Sequence, residues 1–278
     1  MFNINLSLIF ENYNKGVNNS KLLLDLKKDI SKNFKNKIVS ISLNPFNKIT
    51  FLNKKLGKYY VHEILLLEHE LIQIYFYYLV KNKYKKFSDI GANVGLHTLL
   101  ASQIFSEVRS FEPETNTFKL LNKNIDINNL NNVTTYNMAV SINSGMLKFL
   151  KNKENPTSNH LEISNVSDEY KSQYKNLDII NVKSESFQKI LKFSDILKID
   201  IEGHEGDLFS NINYNDLSNK ILFIEIHNPK NSNKIINFYS KHKLKIKCHL
   251  IKDGIREITD TKLFPNKAKD GSVIFECE

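Results

Sequence analysis

The sequence has little cysteine and no apolar run long enough to cross a bilayer. Its 278 residues include two cysteines, Cys248 and Cys277, whose spacing suits neither a paired metal site nor a disulfide framework. We therefore expect reduced thiols in a cytoplasmic protein. The most apolar stretch, residues 71–80, is far shorter than the roughly 20 residues that span a membrane. The N-terminus also lacks a basic region and a cleavage site, so we predict neither a membrane span nor a signal peptide.

Arginine is also scarce, which limits what the positive charge can mean. Lysine and arginine total 39 against 30 acidic residues, a net charge of +9, yet only Arg109 and Arg256 are arginine. Bidentate recognition of phosphates and bases favours arginine. The abundant lysine, asparagine, isoleucine, tyrosine and phenylalanine all have A/T-rich codons, which explains the lysines equally well. We therefore do not expect a nucleic-acid partner, although an RNA substrate stays open as an alternative.

The composition is that of a folded globular protein, with 41% hydrophobic and 25% charged residues. The length suits one large domain with a modest extension. Residues 1–60 predict a partly helical N-terminal extension, with one helix around residues 22–30. This extension is a candidate cap over a substrate site of the main domain. Residues 61–278 predict the main domain. Apolar residues cover much of a predicted helix at 62–80, which either packs on the sheet or makes a homodimer contact.

From residue 86 onward, predicted strands and helices alternate. The predicted strands are 87–90, 108–112, 133–139, 179–182, 196–201, 221–226, 245–251 and 272–276, with a further short strand as an option at 146–150. Continuous apolar runs such as 221–226 are typical of parallel strands covered on both faces. The last two strands alternate like an antiparallel pair, and residues 151–177 predict a long polar loop. The pattern indicates an α/β protein with a doubly wound sheet.

The sharpest motif is the run SDIGANVG at residues 88–95, at a predicted strand-to-helix turn. Gly91 and Gly95 let the backbone turn tightly and approach a ligand, because no Cβ is in the way. The N-terminus of the following helix offers free N–H groups to a carboxylate. The motif therefore predicts a ligand-binding turn.

The nature of that ligand follows from two neighbouring positions. Glu112 ends the next strand, 23 residues after Asp89 (112 − 89), where an acidic residue can accept hydrogen bonds from ribose hydroxyls. Asn93 stands where a dinucleotide site has its second glycine, and no third glycine follows. A nicotinamide oxidoreductase is therefore disfavoured, and S-adenosylmethionine, which has no pyrophosphate, fits better.

A second constellation lies where two apolar strands end. Asp200 and Glu202 leave the tip of the strand at 196–201, and Glu225 and His227 stand at the tip of the next one. Ligands bind beyond the carboxyl ends of strands in such sheets, so neighbouring strands would bring three carboxylates and an imidazole together. Buried carboxylates are costly without partners, which favours a functional cluster. Helix capping is the alternative.

Together these motifs resemble the FkbM family of methyltransferases. The stretches DIGANVG, FEPE, Asn124 with YNMAVS, LKIDIEGHE and FIEIHN follow in order between residues 87 and 228. The resemblance implies a Rossmann-like class I methyltransferase fold, with a mostly parallel seven-stranded sheet, helices on both faces and an antiparallel C-terminal hairpin. It also implies S-adenosylmethionine as methyl donor and O-methylation of a hydroxyl, on a sugar or a small metabolite.

The resemblance also assigns roles residue by residue. It places Asp89, Gly91, Asn93 and Gly95 around the methionine moiety, Glu112 on the ribose, Met138 and Ala139 near the adenine, and Asp200 and Glu202 near the transferring methyl group and the acceptor. It does not reach the first sixty residues or the loop at 151–177, which we expect to select the acceptor.

The predicted catalytic set is Asp200, Glu202, Glu225 and His227. Asp200 and His227 are the candidate general bases, with Glu202 and Glu225 orienting them. Mg²⁺ held by the three carboxylates is a second, less favoured option, and no metal ligand is predicted. An RNA 2′-O-methyltransferase and a donor-binding protein without catalysis remain alternatives.

Overall fold

A computed structural model describes residues 2–162, 177–210, 212–252, 254–267 and 271–278. Residues 163–176, most of the second half of the predicted loop, lie outside the described residues. No helix in the described part of the chain is long and apolar enough to cross a membrane.

The elements are named here in chain order. The strands are β1 (Phe2–Asn5), β2 (Ile38–Asn44), β3 (Lys48–Leu52), β4 (Lys55–Leu56), β5 (Tyr59–Tyr60), β6 (Lys86–Ile90), β7 (Glu107–Phe111), β8 (Val133–Tyr136), β9 (Ala139–Ser141), β10 (Gly145–Asn152), β11 (His160–Leu161), β12 (Leu177–Ser186), β13 (Ile196–Ile199), β14 (Ile221–Glu225), β15 (Ile246–Ile251), β16 (Ile255–Glu257) and β17 (Ser272–Cys277). The helices are α1 (Leu6–Asn14), α2 (Ser20–Asn33), α3 (Val61–Leu65), α4 (Glu68–Val80), α5 (Leu96–Ala101), α6 (Thr115–Ile127), α7 (Phe187–Phe193), α8 (Glu205–Leu208) and α9 (Pro229–His242).

The large sheet is mixed, and its described strands follow the order β16-β15-β17-β14-β13-β6-β7-β8. The five strands from β14 to β8 run parallel, whereas β17, β15 and β16 are antiparallel to their neighbours. The predicted alternation of parallel strands and helices and the antiparallel C-terminal pair are therefore present. Eight described strands replace the predicted seven, because β16 is only three residues long and carries no readable alternation.

The strand predicted at 133–139 is in fact two strands in different sheets. The side-chain amide of Asn137 donates to the carbonyls of Glu112 and Pro113, at 2.9 and 3.0 Å. These bonds turn the chain out of the large sheet after β8, and β9 then pairs with β12 instead. The turn places Met138 and Ala139 beside the end of β7.

Helices cover both faces of the large sheet, as predicted. On one face, buried side chains of α4, α5 and α6, such as Leu71, Leu99 and Leu121, form one apolar cluster. On the other face, α7 and α9 contribute Phe187 and Ile235 to a second cluster. Burial of both faces explains why the central strands are continuous apolar runs.

The helix predicted at 62–80 breaks into α3 and α4 at Leu66 and Leu67. The Tyr77 ring of α4 packs against the rings of Phe87 and Phe223, with centroids 5.0 and 4.7 Å away. Of the two predicted roles, this helix therefore has the first: its apolar face covers the sheet.

Residues 2–52 form a separate layer that contains strands as well as the predicted helix. β1 pairs with β2 in parallel, and β2 with β3 antiparallel. The open edge of β3 is closed by α6, because the N–H groups of Thr50 and Leu52 donate to the side-chain oxygens of Asn128 and Asn124, at 2.8 and 2.9 Å. The amide of Asn124 also donates to the carbonyl of Val94 at 2.9 Å, which links this layer to the glycine turn.

A four-stranded sheet of order β11-β10-β12-β9 stands beside the end of β7. Its apolar side chains Ala139, Phe149, Leu161 and Val182 form a small cluster of their own. Residues 151–162, predicted as loop, supply the end of β10 and β11. That part of the prediction is wrong because the polar residues here satisfy the turn: the side-chain oxygen of Asn152 accepts from two backbone N–H groups.

Candidate active site

The turn after β6 has room only for glycine at two positions. Gly91 has a φ of +80°, and a Cβ on it would lie 1.8 Å from the carbonyl oxygen of Asp200. Gly95 has a φ of +97°, and its Cβ would lie 2.5 Å from Cδ1 of Leu121. A residue with a side chain would be strained at either φ, and a neighbouring atom already occupies the space that its Cβ would need. The glycines thus bring the turn close to β13 and α6.

Two polar side chains at this turn present buried oxygens. Asp89 is fully buried, and its Oδ2 accepts from the hydroxyl of Thr98 at 2.7 Å. Oδ1 of Asp89 and Oδ1 of Asn93 are buried without a hydrogen-bond partner among the described residues. Because buried polar atoms are normally satisfied, such orphaned acceptors indicate a missing donor.

Glu112 follows β7 and lies against the glycine turn. Its two carboxylate oxygens accept from the backbone N–H groups of Asn93 and Glu114, at 3.0 and 2.8 Å. Burial nevertheless raises the pKa of Glu112 to about 8, because desolvation outweighs these two bonds. Each oxygen keeps a lone pair, so the side chain can still accept from a ligand hydroxyl.

A cleft, which we call the donor cleft after the ligand predicted from the sequence, lies between this turn, β9 and the end of β13, and contains about 570 Å³ of empty space including its mouth. Five of the predicted donor-binding residues line it: Gly91, Asn93, Glu112, Met138 and Ala139. Asp89 is not among the lining residues, because it is buried beneath the turn. Gly95 lines a neighbouring cleft instead.

The small sheet forms a wall of the donor cleft that sequence reasoning did not foresee. Phe149, Thr157, Asn159 and Leu161 all line it. Phe149 belongs to the short strand predicted at 146–150, whereas Thr157, Asn159 and Leu161 belong to the stretch predicted as polar loop, where only the apolar Leu161 could have signalled order against the cleft.

The predicted acidic cluster forms around His227, because β13 and β14 are parallel neighbours in the sheet. Nε2 of His227 lies 3.5 Å from a carboxylate oxygen of Asp200, 3.5 Å from one of Glu202 and 3.8 Å from one of Glu225. Nδ1 lies 2.9 Å from Oε1 of Glu205. The structure therefore brings together all four predicted catalytic residues, and adds Glu205.

The charges of this cluster depend on one another. The carboxylates of Glu202 and Glu205 outweigh desolvation and raise the pKa of His227 well above its ordinary value, which favours the imidazolium. Burial raises the pKa of Glu202 well above its ordinary value and that of Glu225 to about 7, with the negative charge of Asp200 adding to both. At neutral pH the cluster thus holds a buried cation and shares protons among its carboxylates.

Two charged residues of the LKIDIEGHE stretch were not singled out by sequence reasoning. Glu205 is fully buried and accepts from the backbone N–H groups of Ile201 and Gly203 and from the side chain of Asn231, besides His227. It anchors the imidazole. Its position three residues after Glu202 gave no signal beyond that of a helix start.

Lys198 is the other residue, and it joins the two halves of the site. Its ammonium group lies 2.9 Å from Oδ2 of Asp200 and 3.3 Å from the carbonyl oxygen of Gly91. Asp200 and Asp89 outweigh desolvation and raise the pKa of this buried lysine. A lysine within a buried strand was the available signal, since such a residue needs an anionic partner.

A second, smaller cleft opens on the other side of the glycine turn. It is lined by Ile64, Leu65, Glu70, Gly91, Ala92, Asn93, Val94, Gly95, Leu96, His97, Lys198 and Asp200. His97 is held here by the carboxylate of Glu70 and by the hydroxyl of Tyr77, which lies 2.8 Å from its Nδ1. Gly91, Asn93 and Asp200 line both clefts, so the two meet at these residues.

Ligand atoms that could hold a metal ion occur in two groups among the described residues. Asp200, Glu205 and His227 form one, and His69, Glu70 and Glu225 form the other, each with atoms within 4.8 Å of one another. Both include an imidazole, whereas Mg²⁺ prefers oxygen ligands only. The all-carboxylate set considered from the sequence is not one of these groups, and Mg²⁺ stays the less favoured option.

Comparison with known proteins identifies the family. The methyltransferase FkbM domain family matches residues 89–245, more than half of the chain and the stretch that contains the glycine turn and the acidic cluster. The chain belongs to the FkbM methyltransferase domain family. No curated protein sequence matches it significantly.

Solved structures similar to this FkbM-domain chain include several methyltransferases. The FkbM methyltransferase from Methylobacillus flagellatus KT is 13% identical with a TM-score of 0.44; the alignment covers 77% of this chain and 53% of that one. A SAM-dependent methyltransferase from Agrobacterium tumefaciens is 11% identical, with 87% and 70% covered and a TM-score of 0.44. An O-methyltransferase from Bacillus cereus in complex with SAH is 11% identical, with 74% and 80% covered and a TM-score of 0.39. The chain thus spans about half the length of the Methylobacillus protein.

Proposed function

We propose that this chain is an S-adenosylmethionine-dependent O-methyltransferase that acts on a hydroxyl of a sugar or small metabolite. The observation that carries the proposal is the junction of two clefts at Asp200. One cleft begins at the glycine turn and Glu112, and the other opens toward Glu70 and His97. A donor in the first cleft and an acceptor in the second would meet beside a carboxylate.

The residues of the donor cleft fit S-adenosylmethionine. Glu112 can accept from ribose hydroxyls, Met138 and Ala139 offer an apolar surface to the adenine, and the orphaned Oδ1 of Asn93 can accept from the amino group. When bound, this donor supplies a sulfonium methyl carbon that is open to in-line displacement by an acceptor oxygen. The chain contributes the position of both reactants, which alone can lower a barrier by several kcal/mol, up to ~7–11 kcal/mol.

The second cleft suits an acceptor with several hydroxyls. Its polar lining consists of the carboxylates of Glu70 and Asp200, the ammonium of Lys198, the amide of Asn93 and the imidazole of His97, beside apolar residues of α3 and α5. Carboxylates and amides accept from hydroxyl groups, and an ammonium donates to them. This mixture supports a small polyhydroxylated acceptor.

We assign Asp200 as the group that receives the hydroxyl proton. It lines both clefts, and its Oδ1 is buried without a hydrogen-bond partner among the described residues. The acceptor oxygen would form its bond to the methyl carbon as the carbon–sulfur bond of the donor breaks, the sulfur would leave as a neutral thioether, and the O–H proton would pass to Oδ1. Lys198, bound to Oδ2, holds the carboxylate in place. A positioned base of this kind contributes roughly 10²–10⁴-fold in rate.

The remaining cluster sets the charge around Asp200. The raised pKa of His227 makes it a donor rather than a base, so its role in our proposal is that of a buried cation. Glu225, with a pKa of about 7, is the carboxyl group of this cluster that changes charge near neutral pH. Ionisation of Glu225 adds a negative charge to the cluster, which favours movement of the hydroxyl proton into it, so the rate should rise with pH through about 7.

The test is transfer of labelled methyl from S-adenosylmethionine to a panel of sugars, polyols and phenols, with amines and thiols beside them. Asp200→Asn should lower the rate of transfer to a hydroxyl by roughly 10²–10⁴-fold while donor binding persists. Asp25→Asn, the same chemical change at an exposed helix position, should leave the rate unchanged. In Glu225→Gln, the rise of the rate with pH should no longer be centred near pH 7.

Two results would contradict the proposal. Methylation of amines or thiols with no product on any hydroxyl would exclude an O-methyltransferase. A rate for Asp200→Asn equal to that of the unchanged chain would remove Asp200 from the proton path and leave its position between the clefts without a chemical role.

A further inference from the structure

A third concave surface, which we call the lysine groove, is separate from the two clefts. Three segments distant in sequence form it: the end of β3 with β4, the first turns of α6, and the end of β10 with Lys153 beyond it. Its lining residues are Leu52, Lys54, Lys55, Leu56, Gly57, Glu114, Asn116, Thr117, Lys119, Leu120, Asn122, Lys123, Lys151, Asn152 and Lys153. It contains about 1440 Å³ of empty space including its mouth.

The charge of this groove exceeds what the composition of the chain explains. Six of its lining residues are lysines and one is acidic, whereas the whole chain has 39 basic and 30 acidic residues. The single acid, Glu114, is already bound by Lys151 at 2.7 Å and by the N–H of Thr117 at 2.8 Å. A codon bias scatters lysines along the chain but does not gather them from three segments into one concavity.

Four of the six lysines have no ion pair with any described acidic residue. Lys54, Lys55, Lys119 and Lys123 are exposed, whereas Lys153 pairs with Asp178 at 2.9 Å. Lys119 and Lys123 are also four residues apart on α6, a like-charge spacing that destabilises a helix by a few tenths of a kcal/mol. A bound anion would relieve this repulsion.

The walls of the groove are held in place by hydrogen bonds between the segments. The N–H of Lys58, just after β4, donates to the carbonyl of Glu154 at 2.7 Å, and the side chains of these two residues form an ion pair. The N–H of Leu52 donates to the side chain of Asn124 on α6. The segments that carry the lysines are therefore held together before any ligand arrives, which reduces the ordering cost of binding.

The lining indicates which kind of anion fits. It contains no aromatic ring, arginine or histidine among the described residues. Recognition of single-stranded nucleic acid relies on aromatic or arginine surfaces against which bases stack. Lysine ammonium groups instead bind sulfate or phosphate as point charges. We propose that the lysine groove binds an anionic oligosaccharide, a chain of sugars that carries sulfate or phosphate groups. This inference does not depend on methyl transfer.

The experiment measures binding of a heparin-derived hexasaccharide to the full chain at several salt concentrations. We expect saturable binding at low salt and a steep loss of affinity as salt rises, since bound cations are released on complex formation. The variant Lys119→Gln with Lys123→Gln keeps helix-forming side chains and removes two charges. Its affinity should fall at least about 10-fold, and its salt dependence should become shallower.

The control removes the same charge elsewhere. Lys241→Gln with Lys243→Gln changes two exposed lysines at the end of α9, outside the groove, and should alter the affinity less than about 2-fold. Titration with inorganic sulfate shows whether the anion alone is bound or the chain of sugars is needed. Titration with a phosphorylated oligosaccharide shows which of the two anionic groups is preferred.

Three outcomes would overturn the proposal. These are absence of hexasaccharide binding at low salt, an equal loss of affinity in the groove and control variants, and binding of inorganic sulfate as tight as that of the hexasaccharide. Tighter, base-selective binding of single-stranded RNA that the groove variant abolishes would assign the surface to nucleic acid instead. Loss of methyl transfer in the groove variant is not required, so failure here leaves the proposed function untouched.

Discussion

In the proposed site, the donor side consists of the glycine turn and Glu112, and the acceptor side consists of Asp200 and the cluster around His227. The two sides hold their buried carboxylates in different ways. On the donor side, both oxygens of Glu112 accept only from backbone N–H groups, and its pKa rises to about 8. On the acceptor side, Glu205 is bound by His227 as well as by backbone N–H groups, and its pKa is lowered. The donor side thus holds its carboxylate with main-chain N–H dipoles, whereas the acceptor side also uses buried side-chain charges.

This difference bears on how each side tolerates change. Main-chain donors are fixed by the turn itself, so the donor side depends on backbone conformation at Gly91 and Gly95. Buried charges depend on their partners, so the acceptor side depends on His227 and Lys198. Backbone substitutions should damage the first side, and charge substitutions the second.

The largest effect is expected from Gly91→Ala. The new Cβ would meet the carbonyl oxygen of Asp200 at 1.8 Å in a backbone with a φ of +80°, so the turn and β13 must separate. Overpacking and strain together should lower the free energy of unfolding by about 4 kcal/mol, measured by urea titration. Gly16→Ala is the matched control, since its φ is +71° but nothing lies within 4 Å, and it should cost only about 1 kcal/mol. Equal losses would show that the contact with β13 is unimportant.

The next effect is expected from His227→Gln, which removes the buried cation. Loss of one partner of a buried charge cluster costs about 3 kcal/mol or more at pH 8. Glu202 and Glu225 have raised pKa values in the folded state, so their contribution to stability is lost as pH rises from about 4.5 through about 7. The variant should therefore be more stable at pH 6 than at pH 8, as measured by its thermal unfolding temperature at each pH. A loss that is the same at both values would contradict a charge-based role.

Asn124→Ala tests whether the N-terminal layer supports the donor side. It removes the acceptor of the Leu52 N–H and the donor to the Val94 carbonyl, in a side chain that is fully buried. We expect a loss of about 2 kcal/mol in the free energy of unfolding, because two buried backbone groups lose partners. Asn122→Ala is the control on the same helix, since the side chain of Asn122 hydrogen-bonds to Phe118 and Thr135 and not to Leu52 or Val94. Equal losses of unfolding free energy in the two variants would show that the N-terminal layer does not support the glycine turn.

The smallest effect concerns the pH dependence of donor binding. Ribose hydroxyls bind the ionised form of Glu112, whose pKa of about 8 in the free protein must fall on binding. Affinity for S-adenosylmethionine should therefore rise roughly 10-fold between pH 6.5 and pH 8.5. In Glu112→Gln the affinity should be lower and independent of pH over this range. A rise of equal size in the variant would assign the titration to another group.

The two sides also differ in how much of them the sequence predicts. Gly91 of the glycine turn, Glu112 and Met138 lie in short contiguous motifs, so the resemblance to the FkbM family was enough to predict that they lie around one cleft. The strand ends with Asp200 and Glu225 could be paired only by assuming that β13 and β14 are neighbours, which they are.

The rest depends on contacts between distant segments. Lys198 could be seen as a buried lysine but not as the link between Asp200 and the turn. The strands of the N-terminal layer satisfy their open edge with side chains of α6, about 72 residues away from Leu52, which no local pattern reveals. The pairing of Leu161 with Phe149 in the wall of the cleft was hidden because polar turn residues surround Leu161.

The most direct test of the donor site is calorimetric titration of the chain with S-adenosylmethionine and, separately, with NAD. We expect saturable binding of S-adenosylmethionine, no binding of NAD, and clear weakening of the first in Glu112→Ala. Absence of S-adenosylmethionine binding by the folded chain, or equal binding by Glu112→Ala, would contradict the assignment of this cleft to the methyl donor.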